Sequence, residues 1–398
     1  MSDLAVIRLK PKAKPQAIRH GFPWVFADEA VLDRRTRAVA PGEFAVLEDA
    51  ERRPLALVTV NPASKIVARV MDADPAARID AAWLRAKMAR ALAMRRRIYD
   101  EPFYRLVHAE ADGLPGLVID RFGDVAVMQP NAAWADRMTG EIAGALVEAT
   151  DVATVILNGQ GRSRGLEGLT ERTEVVLGPA PDAPVPVVMN GATYMADLMG
   201  GQKTGLFYDQ RPNHAFTQSL AAGLSVLDVF SHVGGFALAA LAAGATGAVC
   251  VDGSAPALDL AAGGAAAMGM ADRLETRQSD AFKAMEAMAE EGRHFDLVIC
   301  DPPAFAPSKP ALEAGLRAYE RVAKLAAPLV APGGYLVLCS CSHAADLTAF
   351  RNVSARGIGR GGRRGVLIHV GQAGPDHPVL PQLAETGYLK ALFFRLDG

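Results

Sequence analysis

Two reactive side chains, the thiol of Cys341 and the carboxylate of Asp301, each follow a run of strand-like composition. Phe295 to Cys300 is apolar except for Asp296, a run of the kind buried on both faces of a sheet, and it leads into DPPAF. After a turn at Pro332-Gly333-Gly334, Tyr335 to Cys339 predicts a second strand, and this strand leads into SCSH. In a doubly wound sheet these strands should be neighbours, so the thiol and the acid converge at one crevice. Such a pair can perform covalent catalysis with proton transfer.

The cysteines also have a plainer explanation. Free cysteine is often buried, so Cys341 alone fits an inert core position, but its place after a strand and beside DPPAF favours catalysis. Cys339 lies inside the strand and fits the core explanation. Prolines straight after a strand make a rigid lip that holds Asp301 for a planar substrate. A related lip occurs in enzymes that methylate amino groups of nitrogenous rings.

The stretch 225–254, SVLDVFSHVGGFALAALAAGATGAVCVDGS, predicts a strand, a glycine turn, a helix of small residues and a second strand. The first strand carries Asp228, and Asp252 ends the second strand. In the turn between them, Gly234 and Gly235 let a ligand approach the backbone. This pattern is typical of a nucleotide-like ligand at the carboxyl edge of a parallel sheet. A βαβ unit without a ligand is the alternative. The D-x-F-x-x-x-G-G turn resembles the first motif of class I methyltransferases that use S-adenosylmethionine (SAM).

Two further segments belong to this predicted site. The polar segment 201–211, GQKTGLFYDQR, is flanked by apolar runs, and Gln210 with Arg211 is expected to begin a helix that leads to the opening strand. Asp280 follows a third predicted strand, Leu274 to Arg277. In class I methyltransferases an acid at this place hydrogen-bonds the adenine amino group. A helix cap is the alternative, and the surrounding motifs favour the ligand contact.

Composition sets the broad class. A chain of 398 residues predicts two or three domains, and half of its residues are hydrophobic. There is no apolar run of membrane-span length and no signal-peptide core, so we expect a soluble cytoplasmic protein with no membrane partner. The four cysteines lack zinc spacing, so neither a metal site nor a disulfide is expected.

Charge is informative only locally. The net charge is −2, but basic residues cluster at 8–19, at 85–97 on a predicted helix, and at 351–364. Such patches suit a phosphate backbone, although a solvated helix face explains each of them as well.

The elements predict three domains: residues 1–74 a small β domain, 75–185 an α+β middle domain, and 186–398 an α/β domain. The first contains four short β-rich runs. The second contains a helix from Asp80 to Tyr99, a β meander with two glycine turns, and a helix over 134–149. A proline-rich linker at 179–186 marks the second boundary.

The segment RHGFPWVF puts basic residues beside aromatic ones, and it resembles the opening of a PUA domain, a compact RNA-binding barrel. The resemblance implies RNA contacts from Arg19, His20 and Trp24. Trp24 and Phe26 also fit a second role as core residues of so small a domain.

Over nearly its whole length the chain resembles the bacterial PUA-containing 23S rRNA cytosine-C5 methyltransferases. The motifs that carry this are RHGFPWVF, ADGLPGLVIDRFGD, GQKTGLFYDQR, DVFSHVGGF, DPPAFAPSK, SCSH and GPDHPVLPQLAETGYLKAL. The segment from Thr348 to Gly365 departs from the family, being rich in glycine and arginine where a regular helix is common. The resemblance implies a Rossmann-like methyltransferase domain behind the β-barrel and middle domains.

By this resemblance Cys341 is the nucleophile and Asp301 assists it. The residues implied around SAM are Asp228, Ser231, Gly234, Gly235, Asp252, Ser254, Asp280, Asp301 and Gln210. The implied partner is 23S rRNA or a large-subunit precursor, and a homodimer is an open alternative. Two other functions remain open: methylation of guanine or of an exocyclic amine in rRNA, and an rRNA-binding assembly factor without catalysis.

Overall fold

The computed structural model describes residues 4–200, 205–383 and 387–397. The chain forms two compact units. One contains residues 4–182 and 375–383, and the other contains 183–200, 205–374 and 387–397. Residues 201–204, which begin the predicted GQKTGLFYDQR segment, lie outside the described residues.

The first unit opens with a five-stranded sheet in the spatial order β1-β3-β4-β5-β2. Its strands are β1 (Ala5–Arg8), β2 (Trp24–Phe26), β3 (Glu43–Glu48), β4 (Pro54–Val60) and β5 (Ile66–Asp72). Alternating apolar residues of these strands, among them Ile7, Val25 and Leu47, are fully buried in one small core. The predicted β domain is therefore present. The short helices α1 (Pro15–Arg19) and α2 (Arg34–Arg37) connect its strands.

A second five-stranded sheet follows in the order β10-β9-β8-β7-β6. Its strands are β6 (Phe103–His108), β7 (Leu117–Phe122), β8 (Val125–Pro130), β9 (Thr154–Asn158) and β10 (Thr173–Leu177). The helices of this part are α3 (Ala81–Arg96), α4 (Ala133–Arg137), α5 (Thr139–Thr150) and α6 (Arg162–Leu166). The single helix predicted over 134–149 is thus two helices. The domain boundary near residue 74 stays a prediction, and Met71 of β5 packs in the same core as Leu84 of α3.

Residues 375–383 return to this first unit, which the sequence did not predict. Asp376 is fully buried, and its carboxylate accepts hydrogen bonds from the Arg105 backbone N–H (3.0 Å) and the Tyr99 hydroxyl (3.2 Å). Arg95 of α3 is also fully buried and donates to the Asp376 carbonyl and to both oxygens of Asp112. The predicted basic helix therefore uses Arg95 for internal pairing, because a buried guanidinium needs hydrogen-bond acceptors.

The second unit is built on a seven-stranded sheet in the order β15-β14-β13-β16-β17-β19-β18, preceded by a two-stranded hairpin. The hairpin strands are β11 (Val185–Met189) and β12 (Ala192–Ala196). The sheet strands are β13 (Ser225–Val229), β14 (Gly247–Asp252), β15 (Leu274–Gln278), β16 (Phe295–Cys300), β17 (Val330–Ser340), β18 (Gly365–Gly371) and β19 (Lys390–Leu396). β13 to β17 are parallel and β19 is antiparallel to both of its neighbours.

The helix α7 (Arg211–Ala221) precedes the parallel strands, and one helix follows each of them: α8 (Gly235–Ala242), α9 (Ala255–Ala267), α10 (Ala281–Glu290), α11 (Leu312–Ala326) and α12 (Leu347–Arg360). α7 begins at Arg211 and leads to β13, as predicted. The order reverses between β13 and β16, because β14 and β15 extend the sheet on one side and β17 on the other. This confirms the predicted doubly wound α/β fold and puts its switch point beside Asp228.

The glycine- and arginine-rich segment was expected to depart from a regular helix, and this expectation is wrong. It forms the 14-residue helix α12, capped by Asp346, whose carboxylate accepts from the Ala349 N–H at 2.7 Å. A Cβ at Gly357 would lie 2.5 Å from the carbonyl oxygen of Glu320 on α11. Glycine is therefore needed for close helix packing, and Arg356 and Arg360 pair with the buried Glu320 carboxylate.

The prediction of a turn at Pro332-Gly333-Gly334 ahead of the strand is also wrong. These residues lie within β17, where the register against β16 shifts between Phe295 and Leu297. Gly333 has φ +77°, so the glycine allows an irregularity inside the strand instead of ending it.

Within the described ranges, no helix combines the length and apolarity needed to cross a bilayer. The same residues contain no cluster of three or more His, Cys, Asp or Glu side chains arranged to hold a metal ion.

Candidate active site

Three parallel strands bring the predicted chemical groups to one edge of the sheet. β13 pairs with β16, and β16 pairs with β17, so that Cys300 lies opposite Val229 on one side and Leu338 on the other. The strands that precede Asp301 and Cys341 are therefore neighbours, as predicted. Their carboxyl ends lie next to the end of β13, which is the usual ligand edge of such a sheet.

The turn after β13 approaches this edge in an unusual backbone conformation. Phe230 has φ +63°, His232 has φ +50° and Gly234 has φ +78°. Two non-glycine residues in the left-handed region within one turn indicate backbone strain, which persists where the surroundings impose it. Ser231 is buried; its N–H donates to the Val251 carbonyl (3.1 Å) and its carbonyl accepts from the Gly234 N–H (2.8 Å).

Asp228 lies beneath this turn with 1% of its surface exposed. One carboxylate oxygen, Oδ2, accepts from the Ala237 N–H of α8 at 3.0 Å, while Oδ1 has no hydrogen-bond partner among the described residues. Burial raises the pKa of Asp228 to about 7. An orphaned buried carboxylate oxygen fits a cationic ligand group, directly or through one water, and a SAM contact from Asp228 stays a prediction.

We expect Asp228→Asn to weaken SAM binding by at least about tenfold and to stabilise the ligand-free protein. The folded pKa lies above the ordinary value, so the carboxyl's contribution to folding is largest at low pH. That contribution is lost as pH rises from about 4 to about 7. The amide carries no charge, so above about pH 7 it should raise the free energy of unfolding by roughly 1–3 kcal/mol. Thermal unfolding at about pH 4 and pH 8, with and without SAM, measures both effects.

Asp296→Asn is the matched control, because Asp296 lies at the start of β16 and binds Ser225 at the opposite edge. It should leave SAM affinity unchanged. Equal SAM affinity in Asp228→Asn and wild type would contradict a role for Asp228 in binding the cofactor.

Asp252 ends β14, and both of its oxygens accept from the chain. Oδ2 accepts from the His232 N–H at 2.8 Å and Oδ1 from the Ser254 N–H at 2.9 Å. Ser254 in turn caps α9 through the Ala257 N–H. Each carboxylate oxygen has a second lone pair, so Asp252 retains capacity for ribose hydroxyls.

Asp280 caps α10, since its Oδ1 accepts from the Lys283 N–H at 3.0 Å. The structural explanation for this exposed aspartate is therefore correct. An adenine contact from the same carboxylate stays a prediction. The aromatic rings of Phe230, Phe282 and Phe305 lie 6.2–6.5 Å apart and join the glycine turn, the start of α10 and the DPPAF lip.

Asp301 is held by two consecutive hydrogen bonds that come from the start of α7. The amide nitrogen of Gln210 donates to Asp301 Oδ2 at 2.9 Å, and the amide nitrogen of Asn213 donates to Gln210 Oε1 at 2.6 Å. Asn213 thereby fixes which end of the Gln210 amide faces Asp301. The sequence indicated Gln210 but not Asn213. Asn213 follows Gln210 by three residues, a spacing that brings two side chains together on one helix face, and this was the available signal.

Cys341 differs from the other cysteines in exposure. Cys250, Cys300 and Cys339 are buried, whereas Cys341 is partly exposed at the end of β17. Burial raises the pKa of the Cys339 thiol well above its ordinary value, so that thiol is inert. The core explanation thus holds for Cys339, and the role of Cys341 as nucleophile stays a prediction.

The SCSH turn is bonded to the DPPAF lip through Ser342, which the sequence did not single out. The Ser342 hydroxyl accepts from the Ala306 N–H at 2.9 Å and lies 2.7 Å from the Tyr319 hydroxyl. Nearby, Tyr388 donates to Asp209 at 2.6 Å, and its ring lies 5.4 Å from that of His343. These bonds connect residues distant in sequence, so no local pattern could reveal them.

The residues predicted to bind RNA lie in the first unit. Arg19 and His20 are exposed, and Arg19 also pairs with Asp49 at 3.3 Å. Trp24 is half-buried and its indole N–H donates to Glu110 at 2.8 Å, with the Arg69 guanidinium 5.8 Å from its ring centre. Trp24 is therefore engaged within its own unit. RNA contacts from these three residues stay predictions.

Comparison with known proteins gives two family matches. Residues 158–395 match the S-adenosylmethionine-dependent methyltransferase family, and residues 7–73 match a PUA-like domain. A ribosomal RNA large subunit methyltransferase of Deinococcus radiodurans is 34% identical, covering 97% of this chain and 96% of that protein. The ribosomal RNA large subunit methyltransferase I of Klebsiella pneumoniae is 32% identical, covering 97% of each.

Solved structures show the same fold. A candidate SAM-dependent methyltransferase of Streptococcus mutans superposes with a TM-score of 0.81 at 17% identity, covering 98% of this chain and 100% of that chain. A candidate methyltransferase solved with SAH gives the same TM-score, covering 98% of this chain and 99% of that one.

Proposed function

The chain belongs to the S-adenosylmethionine-dependent methyltransferases and carries a PUA-like domain, and from this premise we propose that it methylates carbon 5 of cytidine in large-subunit ribosomal RNA. Two full-length relatives at 34% and 32% identity are named as methyltransferases of that RNA. The observation that carries the carbon-5 chemistry is the partial exposure of Cys341 alone among four cysteines, at the edge shared with Asp301.

The chemistry explains why a thiol is needed. Carbon 5 of a pyrimidine is a poor nucleophile, and SAM supplies an electrophilic methyl group. Addition of the Cys341 thiolate to carbon 6 forms an S–C bond, breaks the 5,6 double bond and makes carbon 5 electron-rich. After methylation, a base removes the carbon-5 proton, the thiolate leaves and the double bond returns. One difficult step is thereby divided into easier ones.

Asp301 is proposed to hold or protonate the ring edge during the attack. Its side chain is fixed by Gln210, and the prolines that follow limit the motion of the lip. A carboxyl group in this position can share a proton with a ring nitrogen as charge develops. Ser342 of the SCSH turn accepts from the N–H of Ala306, the residue after the DPPAF lip, so the segments that carry the thiol and the acid are bonded to each other.

The cofactor residues proposed are those that surround the turn after β13. Asp228 with its orphaned oxygen suits the ammonium, Asp252 the ribose and Asp280 the adenine, while Ser231, Gly234, Gly235 and Ser254 shape the backbone. Arg19, His20 and Trp24 are proposed for RNA, with the exposed Arg19 and His20 suited to phosphates.

The direct test is methylation of purified, unmodified 23S rRNA with SAM, followed by nucleoside mass spectrometry. We expect 5-methylcytidine. Methylguanosine or a cytidine methylated on its exocyclic amine would support the second enzyme function, since that chemistry needs no thiol. Binding of rRNA without SAM binding in calorimetry would support an assembly factor and overturn the proposal.

A further inference from the structure

A buried lysine lies directly behind the turn that carries Cys341. Lys390 begins β19 and pairs in register with Ser340, the last residue of β17. Only 8% of its surface is exposed, and the other residues of β19 are apolar except Arg395. A buried ammonium is costly unless its donors are satisfied, so its presence in a core strand requires a compensating interaction.

The ammonium group bonds both ends of the Cys341 turn. Lys390 Nζ donates to the Ser342 carbonyl at 2.7 Å and to the Ala345 carbonyl at 2.7 Å. Ser342 and Ala345 are themselves fully buried. Lys390 thus fixes the backbone that immediately follows the thiol.

The two carbonyl groups accept from two of the three ammonium N–H donors, but they do not neutralise the charge. Across the residues that the structure describes, no carboxylate oxygen lies within 4.0 Å of Lys390 Nζ. Burial lowers the pKa of Lys390, and negative charge on Cys341 and on Asp346 acts in the opposite direction. The buried cation therefore has Cys341 as one of its two candidate counter-charges.

We propose that Lys390 is a positioning residue that holds the Cys341 turn and stabilises the thiolate form of Cys341. The thiolate is the reactive species, and a nearby fixed cation raises its population at neutral pH. This inference rests on the proposed role of Cys341 as nucleophile. It explains why a lysine begins a mostly apolar strand beside Cys341, which is partly exposed while the other three cysteines are buried.

Alkylation by iodoacetamide tests the inference without RNA or SAM. The thiolate displaces iodide, so the rate against pH gives the titration midpoint of the thiol. Since the other three cysteines are buried, the reaction in the folded protein reports Cys341, which loss of labelling in Cys341→Ser verifies. We expect a wild-type midpoint about one pH unit below the ordinary value of about 8.5.

Lys390→Gln keeps a hydrogen-bond donor but removes the charge, so the midpoint should rise by about one pH unit. Lys390→Arg keeps the charge and should keep the low midpoint. Lys324→Gln, at an exposed position of α11, is the control and should change nothing. In methylation assays, Lys390→Gln should lower kcat with little change in KM for SAM, as a misplaced or protonated nucleophile predicts.

Other titratable groups lie around the same turn. Tyr319 of α11 interacts electrostatically with Cys341, Asp346 follows the turn, and Asp301 lies at the end of the adjacent strand. None of them changes in the Lys390 variants. If the thiol's titration midpoint is unchanged in folded Lys390→Gln, Lys390 only holds the backbone of the turn and the inference is overturned. If that variant does not fold, a wild-type midpoint at the ordinary value overturns it and a lowered one supports it.

Failure of the proposed function is separable from failure of this inference. Methylation that survives Cys341→Ala would refute the covalent mechanism, whereas the alkylation midpoint would still report the effect of Lys390 on the thiol.

Discussion

Cys341→Ala is expected to lower the rate of carbon-5 methylation by about a thousandfold or more while leaving SAM affinity at the wild-type value. Without the thiolate, carbon 5 remains a poor nucleophile, and bringing the methyl donor near it does not supply the missing electron density. The residues proposed for the ammonium, ribose and adenine of SAM lie on β13 and β14 or in the loops after β13, β14 and β15, and not on β17, so the substitution should not disturb them. Quantification of 5-methylcytidine in 23S rRNA, with calorimetry for SAM, measures both quantities.

Cys339→Ala is the matched control, because Cys339 lies two residues earlier with 1% of its surface exposed. It should retain activity and lose about 1–2 kcal/mol of stability from the small cavity. RNA containing 5-fluorocytidine gives an independent result, since fluorine at carbon 5 cannot leave as the proton does. Wild type should form an adduct that resists denaturation and Cys341→Ala should not. A Cys341→Ala rate within tenfold of wild type would refute the covalent mechanism.

The parallel sheet was predictable because its signals are local. Leu297 to Cys300 is apolar on both faces, and the predicted strand Phe295 to Cys300 matches β16. Strand, glycine turn and helix around Asp228 follow each other within one βαβ unit, so neighbouring residues determine their structure. The adjacency of β16 and β17 then follows from the rules of doubly wound sheets, and it brings Asp301 and Cys341 to one edge.

The helix α12 was not predictable by the same reasoning. Glycine lowers intrinsic helix propensity by about 1 kcal/mol per residue, so the sequence argued against a helix there. Packing decides otherwise, because Gly357 and Gly361 lie against the α11 backbone where any side chain would collide. Gly264 of α9 shows the same effect, since a Cβ there would lie 2.8 Å from the Thr193 carbonyl. Propensity is a weak prior when helices approach this closely.

The supports of the active site were also beyond prediction. Lys390, Ser342 and Asn213 bond the segments next to Cys341 or Asp301 through contacts that join distant parts of the chain. Residues 375–383 return to the first unit for a similar reason, through the buried Asp376. The sequence identifies residues that carry chemistry by type, but the groups that orient them are chosen by three-dimensional packing.

Asp301→Asn is expected to lower kcat by about a hundredfold or more, with little change in the KM for SAM. Asparagine keeps an oxygen that can accept from Gln210, so the lip should retain its shape, but the amide cannot share a proton with the ring edge. Gln210→Ala should give a smaller loss of about tenfold, since it frees Asp301 without removing the acid. Steady-state kinetics with rRNA and SAM separate the two parameters.

The same experiment decides between two roles for Asp301, because the sequence placed it both with the catalytic groups and around SAM. If Asp301 mainly holds the cofactor, Asp301→Asn raises KM for SAM and leaves kcat nearly unchanged, which would contradict our assignment. Asp272→Asn, an exposed aspartate just before β15, is the control for the loss of one charge and should leave both parameters as in wild type. Asp301 is assigned to the reacting base if Asp301→Asn lowers kcat, Gln210→Ala lowers it in part, and neither variant changes the calorimetric affinity for SAM. A group that acts on the ring needs its own correct orientation for catalysis, whereas a group that holds the cofactor would change the affinity for SAM.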